Sequence, residues 1–276
     1  MFDNPTRLPR RAFLRTSAAA ATIGVSSTLA SAESGAQVTS RFASVKALVF
    51  DVFGTVVDWR TSVSRQAGQL ARSKNLTIDA PKFADAWRAQ YQPNMNRVRS
   101  GELPWTKLDD LHRMALDTVL ADFGVTQLSE AEKADLNRAW HRLDPWPDTV
   151  SGLTRLKKHF VIAPLSNGNI ALITNMAKHA GLPWDCVLGA ELVRRYKPDP
   201  EVYRSAAELL NLQPGEVMMV AAHSNDLRAA KAVGLHTAFV VRAREYGPDG
   251  KPELQADVPV DISAKNFLDL ADQVGA

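Results

Sequence analysis

The sequence predicts an α/β protein, a Rossmann-like doubly wound parallel sheet core with an inserted all-helical cap domain. Three observations carry that prediction. A short apolar run, "VKALVF", ends in Asp51. Residues 61–143 then show only helical periodicity. After the two prolines of "LDPWPD", apolar runs alternate with helical segments to the end of the chain. Strand, helix, strand, helix in that order implies a parallel sheet with right-handed crossovers. Ligands of such sheets bind beyond the carboxyl ends of the strands. A helical insert rooted at the same edge would roof that crevice. The 45% hydrophobic and 23% charged composition is ordinary for a globular chain with one sizeable core, or a core plus a small insert.

The first 32 residues stand apart. Arg10 and Arg11 precede Phe13 and Leu14, an Ala-rich apolar segment follows, and Ala30-Ser31-Ala32 closes it. This order resembles a twin-arginine export signal with a small-residue cleavage site, so residues 1–32 are set aside from the fold and a periplasmic location is expected. The only partner this segment implies is the twin-arginine export machinery. It holds four arginines and one aspartate, which accounts for the whole +3 of the chain and leaves the remainder neutral. A basic pI of that origin argues for no nucleic-acid partner. No run of 18 apolar residues follows, so no stable membrane association is expected. The single cysteine, Cys186, excludes an intrachain disulfide and reads as a small buried hydrophobe.

Residues 33–44 are polar and small, a leader. Residues 45–50 read as a buried strand punctuated by Gly54. In the helical block, Val63, Ala67 and Leu70 share one face, Phe83, Trp87, Tyr91 and Met95 recur at i+4, and so do Leu108, Leu111, Ala115 and Val119. Ala134 and Trp140 suggest one more helix. "LDPWPD" is a stiff linker. Beyond it the spacing predicts strands over 160–166, 186–188, 216–222 and 236–241, and helices over 170–180, 200–211, 226–233 and 266–274. Gly181 and Gly234 stop two of the helices. The domains expected are thus a core of 45–58 and 144–276 and a cap of 59–143.

Four segments then fall at strand ends: "FDVFGT" with Asp51, "LSNG" with Ser166, "YKPDPEVY" with Lys197 and "VAAHSNDL" with Asp226. In this order they resemble the haloacid dehalogenase superfamily over essentially the whole chain after residue 32. Most of that superfamily are phosphatases with a second Asp two residues after the first, which protonates the leaving group, and two acidic residues in the last motif that help hold magnesium. Here Phe53 and Ala222 stand at those positions. Magnesium needs hard oxygen ligands, so both changes disfavour phosphate chemistry. The pattern is similar to the L-2-haloacid dehalogenase (type II) branch.

That resemblance implies attack by Asp51 on C2 of an (S)-2-haloacid, an aspartyl ester, and hydrolysis to the (R)-2-hydroxy acid, with no cofactor and no metal. A carboxylate attacks carbon without a metal, and a departing halide needs no proton. Lys197 would keep Asp51 ionised and pair with the substrate carboxylate. Asp226 would orient or deprotonate the hydrolytic water. Thr55 and Ser166 would hydrogen-bond the nucleophile or the substrate carboxylate. Tyr203 reads either as a support for Lys197 or the carboxyl network or as a packing residue. Phe53 would wall an apolar pocket. Arg88, in a Trp-Arg pair, and Asn167 are the halide ligands the family implies. His223 reads either as a hydrogen-bonding pocket residue or as a loop histidine without a catalytic part. Asn225 replaces the aromatic residue that lines the halide site in relatives, so a more polar pocket is expected, favouring chloride or fluoride or another substrate. Relatives are often dimers, so a homodimer is the assembly implied. Two other readings stay open on the residues alone: a magnesium-dependent phosphatase of the same fold, and a binding relative without catalysis.

Overall fold

The computed structural model describes residues 42–276. The export segment and nearly all of the leader lie outside the described residues. Six strands form one parallel sheet in the order β5-β4-β1-β6-β7-β8. They are β1 (Ala47–Phe50), β4 (Val161–Ser166), β5 (Leu188–Gly189), β6 (Val217–Ala221), β7 (His236–Val240) and β8 (Ile262–Ala264). β1 lies between β4 and β6, with Phe50 opposite Pro164 on one side and Val220 on the other. The chain runs outward from β1 to β4 and β5, then returns to β6 on the far side. Asp51 is the first residue past β1, at that reversal, and its N–H still bonds the Val220 carbonyl at 3.0 Å.

Side chains alternate across the sheet as the strand period requires. Leu48, Phe50, Ile162, Met218 and Val220 pack on one face with α6 (Thr149–Leu156), α7 (Ile170–Ala180) and α11 (Phe267–Val274). Ala47, Val49, Ala163, Met219 and Phe239 pack on the other with α9 (Pro200–Leu209) and α10 (Ser224–Ala232). Both faces are covered, which is why the strands read as unbroken apolar runs. The predicted helix over 170–180 is present and ends at Gly181 in the left-handed conformation, φ 67°.

Between β2 (Val57–Asp58) and β3 (Asp144–Pro145), an antiparallel ribbon, the chain makes the helical insert. Its helices are α1 (Trp59–Ser73), α2 (Ala80–Ala89), α3 (Tyr91–Arg99), α4 (Leu108–Asp122) and α5 (Glu130–Asn137), followed by a 3₁₀ turn at Arg138–His141. Asp58 caps α1 by accepting from Thr61 N at 3.0 Å. The Phe83–Trp87–Tyr91–Met95 series reads as one helix but is broken at Gln90 into α2 and α3. Pro93 supplies the reason, since its missing N–H and its ring are incompatible with a bond to the carbonyl four residues earlier. Phe83, Trp87 and Met95 nevertheless stay fully buried.

Other boundaries differ from the sequence reading. The strand expected at 186–188 is instead Leu188–Gly189, and Cys186 is only half-buried against the second core. The "LDPWPD" linker contributes β3. The helix α6, the short helix α8 (Ala190–Val193) and the strand β8 have no counterpart in that reading. Among the described residues, no helix is long and apolar enough to cross a membrane.

Candidate active site

Asp51 leaves β1 at the carboxyl edge and is buried. Its Oδ1 accepts from Lys197 Nζ at 2.9 Å. Its Oδ2 accepts from Thr55 Oγ1 at 2.7 Å and lies 3.1 Å from His223 Nδ1. Burial alone would raise its pKa, but Lys197, His223 and Thr55 outweigh burial and hold the carboxyl well below the usual carboxylate range. The turn Val52–Val56 makes this possible, with Gly54 at φ 88° and the Thr55 hydroxyl also accepting from Ala222 N at 2.9 Å.

Lys197 comes from the loop between α8 and α9. Its backbone N–H donates to Asn167 Oδ1 at 2.7 Å, which ties that loop to the end of β4. The Arg99 guanidinium, from the C-terminal end of α3, donates to its carbonyl. The ammonium bridges Asp51 and Asp226, with 2.5 Å to Asp226 Oδ2. Burial works against the cation, yet Asp226 and Asp51 overcome it and raise Lys197 above its ordinary value. Asp226, in the first turn of α10, accepts from Tyr203 Oη on its other oxygen. Burial pushes its pKa up against the pull of Lys197, and the Asp51 charge adds to the rise. Where a divalent ion would need open carboxylate oxygens, an ammonium already sits. Among the described residues, no group of three His, Cys, Asp or Glu is placed to hold a metal.

These groups line a cleft of about 460 Å³ together with Phe53, Arg88, Tyr91 and Asn167. Phe53 is buried and meets Tyr91 and Trp140 edge-on at 6.1 and 6.0 Å. Arg88, in the last turn of α2, lies 4.0 Å over the Tyr91 ring and 5.4 Å over Trp59. One guanidinium nitrogen of Arg88, Nη1, is buried without a hydrogen-bond partner, and none of the ion pairs among the described residues includes Arg88. A buried, unpaired cationic donor is costly, so an anion is the ligand this wall would accept.

Eight of the ten expected side chains line this cleft, and Thr55 lies fully buried beneath it, bonded to Asp51. Ser166 is set back: it is fully buried, and its hydroxyl accepts from Gly168 N at 3.0 Å, shaping the turn after β4. Tyr203 supports Asp226 rather than Lys197. His223 is far from a free loop histidine, because its Nε2 lies 3.0 and 3.1 Å from the two oxygens of Glu245 while Nδ1 faces Asp51. Burial would lower its pKa, but Asp51 and Glu245 together raise it to about 10. Glu245 was not legible in the sequence. It is a lone acid in "RAREYG", on the loop after β7, and no spacing rule points to it. The role of Tyr91 as a support for Arg88 was hidden inside an apparently continuous packing face.

The haloacid dehalogenase-like hydrolase family matches residues 45–234. The (S)-2-haloacid dehalogenase 1 of Pseudomonas sp. (strain CBS-3) is 30% identical over 202 residues, covering 72% of this chain and 85% of its own. The crystal structure of a defluorinating L-2-haloacid dehalogenase superposes with a TM-score of 0.82 at 49% identity, over 84% of this chain and 96% of that one. The Xanthobacter autotrophicus L-2-haloacid dehalogenase with chloropropionic acid covalently bound matches with a TM-score of 0.71 at 25% identity, over 84% of this chain and 99% of that one. With the Asp51, Lys197 and Asp226 cluster at the edge of a parallel sheet beneath a helical insert, these likenesses show that the chain belongs to the haloacid dehalogenase-like hydrolases, in their L-2-haloacid dehalogenase branch.

Proposed function

We propose that this protein hydrolyses (S)-2-haloacids to (R)-2-hydroxy acids through an ester on Asp51, without a metal. One observation carries the reading. An ionised carboxylate held by Lys197 and Thr55 shares its cleft with the Arg88 guanidinium, whose Nη1 has no hydrogen-bond partner among the described residues, and an apolar ring, Phe53, takes the place of a second acid.

In the first step an oxygen of Asp51 forms a bond to C2, and the carbon–halogen bond breaks with its electron pair leaving on the halide. Attack from the face opposite the leaving group inverts C2. Arg88 is the cation that receives the developing charge, since a guanidinium is always charged and weakly hydrated. Water then attacks the ester carbonyl carbon of Asp51, so the oxygen joined to C2 comes from the aspartate. A halide needs no proton to leave, which is why Phe53 at the position of the acid is compatible with turnover.

The test is a halide-release screen over 2-chloro-, 2-bromo- and fluoro-acids, with and without a chelator. Fluoro-acids belong in it because a relative at 49% identity is a defluorinating enzyme. Release should be unchanged by chelator and lost in Asp51→Asn, since an amide is a poor nucleophile. Activity that disappears with chelator and returns with magnesium would move the protein to the phosphatase chemistry of the superfamily. Export by the twin-arginine route is a separate inference, supported by Arg10, Arg11 and Ala30-Ser31-Ala32. Replacing both arginines by lysine should leave the protein in the cytoplasm, and an unchanged periplasmic fraction would refute the signal.

A further inference from the structure

We propose that His223, oriented by Glu245, is the base that activates the hydrolytic water, and that esterification of Asp51 is what turns it into a base. The assignment rests on the dehalogenase reading and adds the second half of the reaction to it. Asp226, the acid that the motifs suggest for this task, is poorly placed for it. Both of its oxygens are taken, one by Tyr203 and one by Lys197, and its side chain is only 7% exposed. His223 is 19% exposed, so water reaches it, and its Nδ1 is 3.1 Å from the carboxylate whose carbon the water must attack.

Glu245 is installed with care. It is 2% exposed and also accepts from Trp59 Nε1 at 3.2 Å. The residue facing it across the turn is Gly54, where a Cβ would overlap the Glu245 carboxylate. The loop that carries it is anchored three residues earlier by Arg242, which donates to the Thr55 carbonyl at 2.7 Å and forks onto both oxygens of Asp148 at 2.7 and 3.0 Å. The same turn that shapes the nucleophile therefore also seats the acid behind His223.

The charged groups around the imidazole set the sequence of events. Asp51 from the end of β1 and Glu245 from the loop after β7 touch it. Lys197 and Asp226 act on it through Asp51, and Arg88, Tyr246 and Glu253 also line the cleft, with Glu253 accepting from the N–H of the neighbouring Ser224 at 3.0 Å. While Asp51 is free, His223 sits between two carboxylates and is protonated. Alkylation of Asp51 makes that partner neutral. His223 keeps only Glu245, its proton affinity falls, and the Nδ1 proton is lost to solvent as the counterpart of the departing halide. Nδ1 then accepts a proton from water as the oxygen bonds to the ester carbon, while Nε2–H stays on Glu245. Collapse of the tetrahedral species breaks the acyl carbon–oxygen bond and expels the 2-hydroxy acid as its alkoxide. The alkoxide takes one proton from the site, and the other remains on His223, which restores the imidazolium beside an ionised Asp51.

Single-turnover kinetics with 2-chloropropionate separate the two halves: halide release reports ester formation, and mass spectrometry of the Asp51 peptide reports its hydrolysis. His223→Ala should retain a halide burst and accumulate ester, with hydrolysis slowed by about 10²–10⁴-fold. Added imidazole should restore hydrolysis. Glu245→Gln should also accumulate ester and should move the acid limb of ester hydrolysis to lower pH, because the imidazole has lost its carboxylate. The retained burst shows that each variant is folded. Ester hydrolysis indifferent to imidazole in His223→Ala, or an unmoved limb in Glu245→Gln, would overturn the assignment while the wild-type burst leaves the dehalogenase reading standing. No halide from the wild type with any 2-haloacid would overturn both.

Discussion

Arg88 shows how much a single side chain depends on its neighbours. Its guanidinium carbon lies 4.0 Å from the centre of the Tyr91 ring with Nη1 buried and unpartnered, so its charge is reserved for something that arrives. A lysine would keep the charge but concentrate it on one strongly hydrated nitrogen and lose the stacking on Tyr91. Arg88→Lys should therefore lower kcat more for 2-chloropropionate than for 2-iodopropionate, since iodide leaves more easily and needs less help. The expected loss for chloride is about 10²-fold, the size of one preorganised electrostatic contact. Equal, small effects on both halides would remove Arg88 from the leaving-group site. Asp51, Arg88, Lys197 and Asp226 were legible because short motifs place them. Glu245 was not, because a buried acid inside a loop leaves no periodic trace.

At the scale of elements, the helical insert is bound to the sheet domain by a polar seam as well as by packing. Asp109, at the start of α4, accepts from Asn169 Nδ2 at 2.9 Å through its carboxylate, and its N–H donates to Asn169 Oδ1 at 3.2 Å. The same carboxylate meets His141 at 2.8 Å. Burial would raise Asp109, but His141 and Asn169 outweigh it and keep the acid below its usual value. The Trp105 and Tyr196 rings meet at a tilt, 4.9 Å apart, and the Tyr196 hydroxyl donates to the Thr106 carbonyl at 2.6 Å. Asn169→Ala removes both bonds to Asp109 and leaves half-buried groups unpaired. It should cost about 1–3 kcal/mol in a urea titration. An unchanged midpoint would show that packing alone holds the seam. The interruption between α2 and α3 belongs to this scale too: Pro93 in the first turn of α3 breaks a face that side-chain period alone reads as continuous.

For the whole molecule, two buried histidines shifted in opposite directions make stability depend on pH. His112, under the roof of the cleft, stacks on Trp140 at 4.4 Å, and neither ring nitrogen has a hydrogen-bond partner. Burial, with smaller contributions from Arg88 and His141, lowers its pKa from 6.5 to about 3. Between those values the unfolded chain binds a proton that the folded chain refuses, so stability is lost as pH falls. His223 works the other way: its folded pKa is raised to about 10, so its contribution is complete below 6.5 and is lost as pH climbs toward 10. His112→Phe keeps the ring and removes the acid-side penalty. Relative to wild type it should gain about 2 kcal/mol on going from about pH 6.5 to about pH 5. Denaturant titrations of both proteins at the two pH values measure it, and parallel losses would show that His112 already carries its proton in the fold.

The sequence by itself determined the alternation of strands and helices, the helical insert and the residues at the tips of β1, β4 and β6, because periodicity and punctuation act over a few neighbouring positions. Phe53 and Ala222 also set its motifs apart from the acidic pattern of the superfamily's phosphatases, since the chemistry of one position needs no partner to be read. Tertiary structure alone decided that His223 stands between Asp51 and Glu245, that Asp226 is occupied by Tyr203 and Lys197, and that Tyr91 supports Arg88. Those pairings join segments that the chain separates and the sheet brings together. A titratable group takes its charge from whatever lies within a few ångströms, and that distance is a property of the fold.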